Sequence, residues 1–203
     1  MFWNKETKFN KLKAVGIRCF ATAQYAEAIA KLSAAIAIKQ DDAEVYNYLG
    51  SALFFTGSYS LALNSLKNAV SIAPESINLL TDLALVYEKL QSFDEAIKIY
   101  DQIFDKSDNK PALQSRLGNC YFEKKEFDKA KDYLKDSLNA DAENASAHYT
   151  LGLIHIEQDN RKAALLSKQM LELLFSPLAA TLMAAINNKD WKKPEEVDGS
   201  TTE

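Results

Sequence analysis

Four of the six glycines in this 203-residue chain stand at Gly16, Gly50, Gly118 and Gly152, spaced by 34 or 68 residues, and the skipped rung of the ladder holds Ala84. Twelve residues after each rung comes an alanine: Ala28, Ala62, Ala96, Ala130 and Ala164. The period therefore runs through five copies without an insertion or deletion. A unit that must match the unit before it and the unit after it tolerates no slip, so this phase-keeping predicts one structural module stacked on itself.

The residues between the rungs say what the module is. Leu49 and Leu53, then Ala62, Leu66 and Ala69, recur at three or four residues, which gives each of two helices one apolar stripe, the two stripes facing each other. Gly50 and Ala62 are small because the helices cross there at close range. Gly57 marks the turn between them; Lys125 and Asp159 at the same place in other copies show that glycine is preferred there rather than required. Pro74 falls near the end of a second helix, where it punctuates the copy. Pro111 opens a helix, where a missing N–H costs little. Asp, Asn and Ser at the junctions, as in Lys106 to Asn109 and Asp141 to Asn144, supply caps. No strand run is visible.

This spacing and these residues resemble the tetratricopeptide repeat over Phe9 to Leu178. The second copy fills its slots in order with Tyr46, Leu49, Gly50, Leu53, Gly57, Tyr59, Ala62, Leu66, Ala69 and Pro74. The fifth drifts most, with Arg161 where an aromatic is usual and Lys168 where a large apolar residue is usual. The resemblance implies an all-α fold, a right-handed superhelical α-solenoid of five helix-turn-helix copies over 9–42, 43–76, 77–110, 111–144 and 145–178. Residues 1–8 read as an N-terminal extension. An extra helix over 179–187 is expected to cap the open end, and the polar composition of 188–203 reads as a disordered tail. Trp191 in that tail either folds back on the cap or serves as a docking anchor.

Composition narrows the function. With 24 basic against 28 acidic residues, a net charge of -4 offers no basic stripe to neutralise phosphates, so nucleic acid is not an expected partner. Leu165 to Ile186 is interrupted by Lys168, Glu172 and Pro177, so no integral membrane segment is expected. Met1 to Lys8 lacks the basic and apolar regions of a cleavable signal. Cys19 and Cys120 lie three copies apart, too far for a disulfide, and read as buried thiols of a cytoplasmic protein, held peripherally on a membrane or organelle only through a partner. His148 and His155 fall in core slots; with no further ligands near them, no metal and no cofactor are expected. No catalytic triad or Gly-rich phosphate loop can be assembled, so the chain reads as a non-enzyme.

Function then rests on a surface. In proteins of this family the first helix of each copy lines a concave groove, and the resemblance carries that role to Phe20, Asn47, Tyr48, Phe54, Phe55, Leu85, Arg116, Asn119, Phe122, Leu153 and Ile156. The set is rich in apolar side chains, as an anchored peptide or helix requires. The family's carboxylate clamp for chaperone tails is absent: starting at the second copy, its five slots hold Asn47, Ser51, Asp82, Ala112 and Arg116, and a lone arginine cannot make that multi-point grip. The expected function is a protein-interaction scaffold or adaptor binding a peptide or helix of a partner. Two alternatives are a chaperone for a secreted client and a self-assembling coat of the magnetosome-associated type, a homo-oligomer formed through Phe2 and Trp3.

Overall fold

The computed structural model of the chain describes residues 3–191. Eleven α-helices and no strand occupy those residues. The helices come in pairs: α1 (Trp3–Ala21) with α2 (Tyr25–Ile36), α3 (Ala43–Phe55) with α4 (Tyr59–Ile72), α5 (Ile77–Lys89) with α6 (Phe93–Phe104), α7 (Lys110–Glu123) with α8 (Phe127–Ala140), and α9 (Ala145–Glu157) with α10 (Arg161–Leu173). A last helix, α11 (Leu178–Asn188), follows. Residues 3–8 are continuous with α1.

Each pair closes on the same turn. Ala23, Gly57, Gln91, Lys125 and Asp159, one per copy, all adopt positive φ, between 56° and 77°. The next N–H in each turn reaches back to a carbonyl five residues earlier, as in Ser58 to Leu53 at 2.8 Å and Asn160 to His155 at 2.8 Å. This is the left-handed helix ending that glycine favours, adopted here four times by other residues. Starts are capped by side chains: Asp42 accepts from the Val45 N–H at 3.0 Å, Ser76 from Leu79 at 3.4 Å, Asn144 from Ala147 at 3.2 Å and Asn160 from Ala163 at 3.1 Å.

The chain divides into two compact units, one up to Lys110 and one from Pro111 on. In the first, α2 packs on α3 and α4 on α5 around a core that includes Phe9, Leu32, Val45, Leu66 and Leu83. In the second, Leu134, Ala147 and Ile154 form one buried cluster and Ile156, Leu171, Leu182 and Ile186 another. The five periodic alanines are fully buried in both units. The glycine rungs sit against the second helix of their own copy: a Cβ on Gly16, Gly50 or Gly118 would lie 2.6–2.7 Å from Cγ of Leu32, Leu66 or Leu134. The skipped rung follows the same rule. Ala84 occurs in the copy that replaces this leucine with the buried Tyr100, whose hydroxyl donates to Glu88. In the fifth copy the leucine is Lys168, and a Cβ on Gly152 would instead meet Leu182 of α11. The last helix thus supplies the side chain that its neighbouring copy lacks.

Candidate protein-binding site

The candidate residues from Phe20 to Leu85 belong to the first unit, and there aromatic rings meet. Phe20, at the end of α1, contacts Tyr48 edge-on at 5.4 Å between centroids, Tyr25 at 5.8 Å and Phe55 at 6.0 Å. Phe55 stacks on Tyr25 at 5.1 Å with the planes 9° apart, and Phe54 meets both Phe55 and Tyr59 edge-on. The geometry follows from the repeat: Phe20 and Phe54 hold the same slot in successive copies, and Phe55 ends α3 beside the start of α2. The cluster is held from below by core residues, yet Phe55 remains 59% exposed. Beside it, Phe54, Phe55, Leu85, Ser51, Asp82 and Val86 line a cavity of about 100 Å³.

Asn47, one turn earlier on the half-buried face of α3, carries a side-chain oxygen that is buried and has no hydrogen-bond partner among the described residues. Buried amide oxygens are seldom left so. Lys13 is occupied with the frame rather than with this face: its Nζ lies 2.8 Å from Asp42 and 2.7 Å from Glu44, tying α1 to the start of α3. Burial lowers the Lys13 pKa, but hydrogen bonds and charge from both carboxylates outweigh it and the net shift is upward. Burial likewise raises Asp42, and its bonds to Lys13 and the Val45 N–H reverse the sign.

The remaining candidates lie in the second unit and do different things. Arg116 is half-buried and already has an interaction partner. Asn119 is engaged within the fold: its oxygen accepts from the buried Thr150 hydroxyl at 2.6 Å, joining α7 to α9. Phe122 is half-buried against Phe127. Ile156 is 7% exposed and belongs to the core under α11, with the half-buried Leu153 packed on the same cluster. Ile156 is therefore core rather than groove lining, because Leu182 and Ile186 of α11 pack over it. Trp191 folds back: its indole N–H donates to the Ile186 carbonyl at 3.0 Å, and Arg161 lies over its ring at 5.9 Å. Phe2 lies outside the described residues, as does the Trp3 side chain, so the self-assembly contact expected of them falls there too.

The sequence expectation missed Tyr25 and Tyr59. Both occupy the aromatic slot of the repeat just after the turn, which brings them beside the end of the preceding helix, and that register was the available signal. Both cysteines are buried and neither forms a disulfide. The His148 Nε2–H donates to the Ala142 carbonyl, 3.0 Å away. Among the described residues there is no cluster of three or more metal-binding side chains and no helix long and apolar enough to cross a membrane.

With that geometry in place, two family models described as tetratricopeptide repeats match the chain, one over residues 56–117 and 91–153 and the other over 16–57. The chain belongs to the tetratricopeptide repeat family. Superkiller complex protein 3 of Homo sapiens is 32% identical over 145 residues, which is 69% of this chain and 9% of that protein. Tetratricopeptide repeat protein 37 of Xenopus laevis is 30% identical over 64% of this chain and 8% of its own length, so the chain spans less than a tenth of these relatives. Among solved structures, MamA from Desulfovibrio magneticus RS-1 superposes with a TM-score of 0.71 at 16% identity, covering 90% of this chain and 97% of that one. YrrB, a tetratricopeptide repeat protein with an unusual peptide-binding site, superposes with a TM-score of 0.68 at 18% identity over 85% of this chain and 90% of that one. These likenesses carry the fold: all-α and of the tetratricopeptide type. Proteins of this family mediate protein–protein interactions.

Proposed function

We propose that this chain is a non-catalytic adaptor that grips an extended or helical segment of another protein on the first-helix face of its first unit. The aromatic cluster around Phe55 carries the reading. A ring 59% exposed, stacked on Tyr25 and fixed by Phe20 and Phe54, is a rigid apolar anchor of the kind that concentrates binding energy at interfaces. The adjoining cavity accepts one aliphatic or small aromatic side chain of that ligand. The peptide-binding site of YrrB is in keeping with this, as are two buried cysteines outside any disulfide with a reducing, cytoplasmic setting.

The test is selection from a displayed random peptide library on the full chain. Selected peptides are expected to share a large apolar anchor and to lose about tenfold or more in affinity on Phe55→Ala, equivalent to about 1.4 kcal/mol, with the melting temperature held. Peptides that bind Phe55→Ala as tightly as the parent would place recognition on another face.

A further inference from the structure

The outward face of α1 carries charge of one sign. Lys8, Lys11 and Arg18 are exposed, lie within about 80° of one another around the helix, and form no ion pair among the described residues. Ala14, Val15 and Thr22 fill the rest of this face. Glu6, the single acid of α1, stands about 120° or more away from each of the three cations. The helix as a whole holds five cations against that one acid, in a chain whose 24 basic residues are outnumbered by 28 acidic ones. Net charge therefore conceals a basic face. The repeat sharpens the contrast. One period on, the place of Lys11 is taken by Val45, and after that by Leu79, Leu113 and Ala147, all buried. The place of Arg18 is taken by Ala52, Val86, Cys120 and Ile154, again all buried. Lys8 falls where Asp42, Ser76 and Asn144 cap later helices, yet α1 runs straight through it and is 19 residues long where the other first helices have 13 or 14. An end face needs only to be polar to stop further stacking. This one is polar with cations alone.

We propose that this face of α1 lies directly on an anionic lipid surface, with Lys8, Lys11 and Arg18 against the headgroups. Charge complementarity selects the partner: a sheet of negative headgroups attracts a row of long cationic side chains without requiring any register between them. The acidic balance of the remaining chain turns every other face away from such a surface, so α1 is the side presented. Phe2 and Trp3 stand in the sequence just before these cations, and aromatic side chains beside lysines are the composition that settles at the boundary between headgroups and acyl chains. A partner helix is the poorer fit, because the small and apolar residues found at these two positions in every later copy are here replaced by Lys11 and Arg18. The contact is peripheral, since no helix among the described residues is long and apolar enough to cross a membrane. It is also separate from the aromatic cluster, because Phe20 stands about 180° from Lys11 around α1. The proposal stands or falls independently of peptide binding at Phe55.

Co-sedimentation of the full chain with vesicles tests it, using phosphatidylcholine alone and phosphatidylcholine with about one-third phosphatidylserine. The chain is expected to pellet with the anionic vesicles only, and to be released at about 0.5 M salt, where exposed charges are screened. Lys11→Glu combined with Arg18→Glu is expected to weaken binding more than about tenfold, since each cation near such a surface contributes roughly a factor of five. The melting temperature should hold, because both side chains are exposed. Trp3→Ser is expected to weaken binding several-fold while leaving the release by salt in place. No pelleting with the anionic vesicles, equal pelleting with the neutral ones, binding indifferent to salt, or binding untouched by either variant would each overturn the proposal. Single-stranded RNA or polyglutamate retained more tightly than the anionic vesicles, and lost on the same charge reversal, would assign the face to that polymer and overturn it as well.

Discussion

A methyl group added at Gly50 would lie 2.7 Å from Cγ of Leu66, whereas one added at Gly57 meets nothing within 4 Å. The two glycines are therefore required for different reasons, and the variants separate them. Gly50→Ala is expected to cost about 1–3 kcal/mol by overpacking. That cost should shrink when Leu66→Ala vacates the space, a coupling that a double-mutant cycle from urea denaturation reads directly. Gly57→Ala is expected to lose about 1 kcal/mol from its positive φ alone, with no coupling to Leu66. His155 makes a second residue-scale case. Burial, reinforced by the charge of Lys131, lowers its pKa below the ordinary 6.5. The unfolded chain then binds more protons than the folded one just below that value, so stability is complete above it and falls as pH drops through the window down to the depressed native pKa. Urea midpoints at about pH 7.5 and about pH 5.5 should differ in that sense, and His155→Gln should reduce the difference.

At the scale of the helix pair, five identical turns are made by five different residues, only one of them glycine. Gln91→Gly and Lys125→Gly are each expected to stabilise the protein by about 0.5–1 kcal/mol, because release of the left-handed strain exceeds the added freedom of the unfolded chain. Thermal melts of the two variants check this. The bond between Thr150 and Asn119 joins successive first helices, so Asn119→Ala should strand a buried hydroxyl and cost about 1–3 kcal/mol. Periodicity made the pairs, the turns and the small-residue crossings legible, because each depends on residues a fixed number of positions apart within one copy. The site was legible only in part. Phe20, Phe54 and Phe55 could be placed on a face from their slots, but Ile156 was lost to the core because the helix covering it lies beyond the last copy and obeys no period. The bond of Asn119 to Thr150 is illegible in the sequence because it joins two copies, whereas a groove position is defined within one copy.

On the scale of the whole molecule, the repeat ends where α11 takes over the work of a missing sixth copy. Its Leu182 fills the space over Gly152 that Leu66 fills over Gly50, and with Ile186 it buries Ile156 and Leu171. Trp191 then locks the helix by donating to the Ile186 carbonyl, with Arg161 of α10 over its ring. In a stack whose stability is a sum of units and their nearest-neighbour contacts, loss of the end piece should be felt first by the copy it covers. Gly152→Val forces a larger side chain against Leu182 and is expected to lift α11 away without touching the core around Phe9, Leu32 and Leu66. Amide hydrogen exchange distinguishes this from general destabilisation: amides of α9 and α10 should lose protection while those of α1 to α4 keep theirs. Uniform loss in all of these helices would mean that the cap stabilises the entire chain cooperatively, contrary to a nearest-neighbour account of this fold.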